Sequence, residues 1–386
     1  MKRFLQLHLL TSYPPANLNR DDLGRPKTAK MGGVDRLRAS SQALKRAWRT
    51  SDIFEAAMAG HIGKRTKEMG LKIYEKLIKK GIKHKDALEW TKPIAGVFGK
   101  LKDLSKKEKE GLKDLSGEER IKKELIELEI EQLAFFDTEE EKSLFTLADA
   151  IADRKEGPKD EELRILRKKM HAVDIALFGR MLASAPAYNV EAACQVAHAI
   201  SVHPVVIEDD YFTAVDDLND GSEDAGAAHI GETGFAAGLF YSYFCLNRGL
   251  LEENLDGDKE LAQRAIRALT EAAVKVPPEG KQNSFGSRAY SSYVLAEKGD
   301  QQPRSLSVAF LKPITSSDYG TDAVEALTTH LNNMDAVYGL CADSRFFIDA
   351  LNGKGGICLA AKGQETDVAQ REEKTSFAQL LDFVST

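Results

Sequence analysis

The sequence predicts an α+β fold: an antiparallel sheet carrying helices on one face, broken by one helical insertion and one long arm. Three observations carry this. Segments beginning near Phe4, Val190 and Phe235 alternate apolar and polar residues with the two-residue period of half-buried strands. Residues 40–49 and 259–276 instead follow the period of amphipathic helices. Between about Ser51 and Gly157 strand character disappears, and runs such as KKGIKHKD and ERIKKELIELEIEQL fill the chain with Lys, Glu and Leu.

The elements follow in order. Over residues 3–11, Leu5, Leu7 and Leu9 alternate with Phe4, Gln6 and His8, which reads as a strand with one buried face. The same Gln6 and His8 interrupt the apolar run, and no cleavage site follows, so the segment does not read as a signal peptide. A polar loop from Tyr13 to Gly33 leads to a short basic strand at Val34–Arg38. A helix begins at Ser40 or Ser41, either of which can cap it through its hydroxyl oxygen. Gln42, Lys45, Arg46 and Arg49 fall on one side of that helix, with Ala43, Leu44, Ala47 and Trp48 opposite. In the charged insertion, helical spacing is clearest at Glu118–Phe136.

Strand character returns at Ala172–Leu177 and is clearest over Val190–Val202, where Cys194, Val196, His198, Ile200 and Val202 share a side. A second strand runs over Phe235–Cys245. About thirty residues separate the two, far beyond a hairpin loop of 2–5 residues. Tyr211, Phe212, Val215 and Leu218 make this arm too apolar for a purely flexible loop. A helix at Lys259–Val276 turns Leu261, Ala265, Ile266 and Leu269 inward, and a hairpin joins Ala289–Ala296 to Ser305–Leu311. The order strand, helix, strand, strand, helix, strand is that of a ferredoxin- or RRM-like sandwich.

Composition narrows the function classes. The 386 residues are 42% hydrophobic and 30% charged, enough for a sizeable core in one interrupted domain or two. Cys194, Cys245, Cys341 and Cys358 are widely spaced, with no CxxC pair, which reads as reduced buried thiols and not as a zinc site. No apolar run approaches membrane-spanning length, so the expected location is the cytoplasm. Phosphate-binding glycine loops, GxSxG and HExxH are absent from any convincing context, and no cofactor or metal is expected.

Charge gives the sharpest signal. Residues 1–50 carry eleven Lys or Arg against three Asp, a local charge of +8 in a chain of net −6. Such polarity marks a track for a polyanion, most simply nucleic-acid phosphates. Arg36 and Arg38, two apart on a strand, project to one side, and Arg25, Lys27 and Lys30 occupy the loop before them. The helix N-terminus adds unpaired N–H groups. In the arm, Phe212 beside Thr213, rimmed by Asp209, Asp210, Asp216 and Asp217, could stack on a base. His198 reads as a core histidine. Asp21 and Asp22 could hold Mg²⁺ beside a phosphate, although paired loop carboxylates more often cap turns.

The block NLNRDD, then GG, then RLRASSQALKRAWR resembles the crRNA-binding backbone subunit of type I-E CRISPR surveillance complexes, known as Cascade. DIALFGRM, AHAISVHPV, DYFTAVDDL and GAAHIGETGFAAGLFY resemble the same family in the same order, across most of residues 1–250 apart from the charged insertion. The resemblance implies an RRM-like palm at 1–50 and 166–386, a helical finger insertion at 51–165 and a thumb hairpin at 204–234. It implies a non-catalytic scaffold whose copies stack along one crRNA, beside other Cascade subunits, and leave the guide open to pair with target DNA. It places Asn19, Arg20 and Lys27 in an RNA-facing loop, and Ser40, Gln42, Lys45, Arg46 and Arg49 on the crRNA backbone. Met181 would pack against bases, and Phe212 and Thr213 would press into the guide. The RNP1 aromatics of an RNA-binding RRM sheet are missing, and no distinctive motif follows residue 280 or so. Two rivals remain: a metal-dependent RNase using Asp21 or Asp22, as in backbone subunits of other CRISPR types that cut bound RNA, and a protein–protein adaptor acting through the charged insertion.

Overall fold

The computed structural model describes residues 2–214, 229–359 and 375–386, apart from the side chains at 113, 214, 229, 230, 358 and 359. The chain divides into two compact units. The first comprises Met1–Ala57, Cys194–Arg248 and Gln263–Thr386, and the second Met58–Ala193 and Gly249–Ala262.

A ten-stranded antiparallel sheet organises the first unit. Its central strand is β1, Phe4–Ala16, flanked by His229–Asn247 on one side and Tyr293–Gly299 on the other. Beyond Tyr293–Gly299 lie Ser344–Asp349 and Lys354–Leu359. Beyond His229–Asn247 come Ala199–Ser201, then β3 at Val34–Ala39 and β2 at Thr28–Met31. Cys194–Val196 and Glu208–Ala214 also pair with the long strand His229–Asn247.

The expected single covered face is corrected by burial. Leu5 to Leu10 are all at most 2% exposed, Gln6 and His8 included. One face packs Leu10, Leu295, Tyr241 and Phe347 against Ala323, Leu327 and Leu331 of the helix Tyr319–Tyr338. The other receives Trp48 on Phe244 and Phe383 on Phe346, with ring centroids 5.6 Å apart in both pairs. Polar side chains inside β1 are tolerated because they are paired. The Tyr243 hydroxyl donates to Gln6 Oε1 at 2.9 Å, and His8 Nε2 meets Glu297 Oε2 at 3.0 Å. Arg304 and Arg345 complete the pairing of that carboxylate at 2.6 and 2.8 Å.

The second unit has a core of its own. The helices Met69–Lys79, His84–Gly96 and Thr138–Arg154 close over Ile73, Leu77, Ile94, Leu144, Leu147 and Ile151. Ile94 follows Pro93 inside its helix, so burial there outweighs a poor helix former. A two-stranded ladder pairs Lys64–Thr66 with Ala134–Phe136, in a region read from the sequence as helical only.

Several local expectations need correction. Glu118–Phe136 is not one helix: Gly117–Glu124 is helical, Leu125–Leu128 is a 3₁₀ turn and Ala134–Phe136 is a strand. Ala172–Leu177, read as a strand, begins the helix Val173–Phe178, whose residues through Leu177 are all buried, which erases alternation. Val190–Val202 is not one strand but the pieces Cys194–Val196 and Ala199–Ser201, parted at Ala197–His198. Tyr293–Gly299 pairs with β1 and Ser344–Asp349 and not with Ser305–Leu311, which contains only the 3₁₀ turn Ser307–Phe310. The loop from Tyr13 to Gly33 contains the end of β1 and the whole of β2. The helix Lys259–Lys275 buries Leu261, Ala265, Ile266 and Leu269, the set expected.

Candidate nucleic-acid interface

The basic loop, β3 and the helix α1, Ser41–Arg49, are joined by backbone hydrogen bonds. Lys27 N–H donates to the Asn19 carbonyl at 2.8 Å, and Arg38 N–H to the Lys27 carbonyl at 2.8 Å. Asn19 Oδ1 accepts the N–H of Ser40 at 2.9 Å, and Ser40 Oγ in turn accepts that of Ala43 at 3.2 Å. Ser40 is therefore the cap, and Asn19 holds the cap in place. Leu44, Ala47 and Trp48 bury the apolar side, leaving Gln42 and Arg46 exposed and Lys45 and Arg49 half-buried. Arg46 and Arg49 in the last turn also oppose the negative end of the helix dipole.

Between loop and helix lies an open cleft of about 470 Å³, walled by Asn19, Arg20 and Asp21, by Ala43 and Arg46, and by Glu279 and Gly280. Two residues that the sequence did not single out shape it. Buried Asn17 donates through Nδ2 to the carbonyls of Gly24 and Gly234, each at 2.9 Å, fixing the loop to the long strand. Gly280 sits so close that a Cβ there would fall 2.2 Å from the Leu18 carbonyl oxygen, so only glycine closes this wall. Asn17 opens the NLNRDD block, a usable signal; Gly280 lies far away in sequence and gives none.

Arg36 departs from the expectation. It is fully buried, and its guanidinium donates to the carbonyls of Ser201 and Phe310 at 2.9 Å each and of Met31 at 3.2 Å. The segment Ser307–Phe310 covers this end of the strand, so Arg36 has no access to a ligand, whereas half-buried Arg38 reaches Thr28 and His198. His198 is likewise not a core residue. It is exposed at the strand break, where Nδ1 accepts Ser41 N–H at 3.2 Å. Asp21 Oδ1 accepts Leu23 N–H at 3.0 Å and Arg25 N–H at 2.9 Å, which makes it a turn-former. Among the described residues, no group of three or more His, Cys, Asp or Glu is placed to hold a metal ion.

The arm is a β-ladder at its root, Glu208–Ala214 against the start of His229–Asn247. Phe212 faces Gly231 across the ladder and is 42% exposed. A Cβ on Gly231 would fall 2.3 Å from Phe212 Cζ, so the outer end of the ring occupies the space beside the glycine. Thr213 follows, also exposed. Arg25 pairs with Asp209 at 3.0 Å, so part of the acidic rim meets this chain's own basic loop. Asp216, Asp217, Val215 and Leu218 lie outside the described residues.

A family model described as CT1975-like protein matches residues 5–375. This chain belongs to the CT1975-like protein family. No curated protein sequence matches it. Among solved structures, the CT1975-like chain is similar to one titled "CRISPR RNA-guided surveillance complex, pre-nicking", at 28% identity and a TM-score of 0.78, covering 99% of both chains. A second, titled "CRISPR RNA-guided surveillance complex", is 24% identical with a TM-score of 0.69 over 99% of both chains, and supports the fold alone.

In this CT1975-like protein the first unit gathers Asn19, Arg20, Lys27, Arg38, Ser40, Gln42, Lys45, Arg46 and Arg49 around one loop, one strand and one helix. Met181 belongs to the second unit, where it is 74% exposed. Its neighbour Arg180 anchors it from below, paired with buried Glu140 at 2.6 Å, while Leu182 N–H donates to Asn189 Oδ1 at 2.7 Å. No helix among the described residues is long and apolar enough to cross a membrane.

Proposed function

We propose that this chain is a non-catalytic CRISPR RNA-binding scaffold, the backbone subunit of a Cascade complex of type I-E. The observation that carries the reading is the capped, basic-faced α1, beside a cleft that brings Arg20 and Arg46 to facing walls. Similarity over the whole chain to a subunit of an RNA-guided surveillance complex supports it. In this reading Asn19, Arg20, Lys27, Arg38, Ser40, Gln42, Lys45, Arg46 and Arg49 hold the phosphate backbone, and backbone contacts position RNA without reading its sequence. Phe212 and Thr213 press on the guide from the arm, and Met181 meets bases from the second unit. Palm, finger and thumb correspond to 1–50 with 166–386, to 51–165 and to 204–234. Copies polymerise along one crRNA in the cytoplasm with other Cascade subunits, and the guide's bases stay open to target DNA.

Of the two aspartates in the nuclease reading, Asp21 has one carboxylate oxygen engaged by two backbone N–H groups, a turn-forming role. The test is RNA binding across a salt series with and without Mg²⁺. The scaffold reading expects tight, length-dependent, salt-sensitive binding of intact RNA. Mg²⁺-dependent cutting abolished by Asp21→Asn or Asp22→Asn would replace it with the nuclease reading, and indifference to RNA would favour the adaptor.

A further inference from the structure

We propose that Arg25 is a positioning residue for the arm, an inference that rests on the RNA-binding reading above. Its pair with Asp209 pins the arm to the basic loop and sets where Phe212 stands relative to the phosphate-binding residues. Arg25 Nη2 donates to Asp209 Oδ1 at 3.0 Å and to Oδ2 at 3.3 Å. Asp209 faces Gly234 across the ladder, and further contacts converge on this rung. Asn17 Nδ2 donates to the carbonyls of Gly24 and Gly234, which ties the residue before Arg25 to the residue opposite Asp209. Pro26, the residue after Arg25, lies so close that a Cβ on Gly234 would fall 3.2 Å from its Cδ. One position along, Lys281 donates through Nζ to Thr233 Oγ1, and Phe285 packs on Phe235 with ring centroids 6.0 Å apart. Lys281 holds a left-handed backbone, φ 46°, which costs free energy in any residue but glycine, and it directly follows Gly280 of the cleft wall.

Both side chains of the pair are exposed, and an exposed ion pair contributes little to stability. Its effect here is leverage. A strand rises about 3.3 Å per residue, so Phe212, three residues beyond Asp209, stands about 10 Å from the rung. A tilt of about 10° at the rung then displaces the ring by about 2 Å. A gap of only about 0.5–1 Å already forfeits a quarter to a half of a van der Waals contact, so a loose root costs the ring its stacking. The pair also explains an acid set beside a track for a polyanion. Asp209 engages the loop's cation and not the ligand, and Arg25 serves the arm and not a phosphate.

The test measures the affinity of the full chain for single-stranded RNA at low salt, with unfolding midpoints alongside to show that each variant is folded. Removing an acid beside a polyanion should by charge alone strengthen binding. The clamp predicts the opposite for Asp209→Ala: binding about fivefold weaker, a part of what a stacked ring contributes. Glu232→Ala removes the same charge from an exposed position on the arm and should not weaken binding. Adding Asp209→Ala to Arg25→Ala, or to Phe212→Ala, should cost nothing further, because all three act through the placement of one ring. Unchanged or tighter binding by Asp209→Ala overturns the clamp. Additive losses from Arg25→Ala and Asp209→Ala overturn it too and assign Arg25 to a phosphate. Both results leave the RNA reading standing. A parent chain that binds no RNA even at low salt overturns that reading and the clamp with it.

Discussion

The guanidinium of Arg36 donates to the main-chain carbonyl of Phe310 at 2.9 Å, although 274 residues separate them in sequence. The same group satisfies the carbonyls of Ser201 and Met31, so one buried cation ties the β2–β3 hairpin to two distant segments. Removing it takes a donor from each of three carbonyls, two of them in buried bonds, and a buried group left unsatisfied costs about 1–3 kcal/mol. Arg36→Met should therefore lose about 3 kcal/mol or more, seen as a lower urea midpoint at unchanged slope. A stability equal to that of the parent would contradict the latch.

The basic face of α1 makes a separate prediction. Lys45→Ala with Arg49→Ala should weaken RNA binding and reduce the salt slope by about 0.7 for each phosphate that the two side chains no longer neutralise. Ser40→Ala should cost about 1 kcal/mol of stability, because the N–H of Ala43 loses its acceptor. Unchanged affinity and slope for the double variant would remove α1 from the interface.

The arm is tested through a pair. Phe212→Ala should weaken binding by about 1–3 kcal/mol for each base stacked on the ring, while the unfolding midpoint stays put, since the ring is part-exposed. Gly231→Ala should reproduce the loss by displacing the ring, which lies where the new Cβ would go. In the Phe212→Ala background, Gly231→Ala should add little. Additive losses in the double variant would mean that the glycine does not act through the ring.

How much of this was legible follows from which residues bury what. The capped α1 could be read because its apolar and basic faces separate cleanly, and Leu44, Ala47 and Trp48 are buried as its period requires. The strand β1 was placed correctly, but Gln6 and His8 looked like a wet face. Their burial depends on Tyr243 and Glu297, partners more than 200 residues away that no local pattern announces. Arg36 misled for the same reason: on the strand it resembles Arg38, and only the return of residues 307–310 covers it. Val173–Leu177 is buried throughout, so its composition could not separate strand from helix. The cleft was half visible, because Asn19, Arg20 and Arg46 lie in one basic block while Glu279 and Gly280 come from a stretch without any motif.

Acid should weaken the first unit in two stages. Burial pushes the His8 imidazole below its ordinary 6.5, against the raising influence of Glu297. The folded chain then binds fewer protons than the unfolded chain, so stability is full above about pH 6.5 and declines as pH falls below it. Burial alone would raise the Glu297 carboxyl, but the hydrogen bond from His8 and the Arg304 guanidinium hold it well below 4.5. Its contribution is present above about pH 4.5 and is lost as pH falls through its folded value. His8→Gln should flatten the decline below about pH 6.5, while the Glu297 stage persists through Arg304, reduced by the loss of the His8 hydrogen bond. Urea midpoints measured across that range check it, and an undiminished upper stage in the variant would assign it to another group.

The central claim is that this chain exists to hold guide RNA. The most direct measurement is the nucleic-acid content of the protein purified after co-expression with a CRISPR array, followed by sequencing of what co-purifies. The account predicts RNA of uniform guide length with repeat-derived ends, carried on a particle much heavier than one chain. A clean, RNA-free monomer would contradict it.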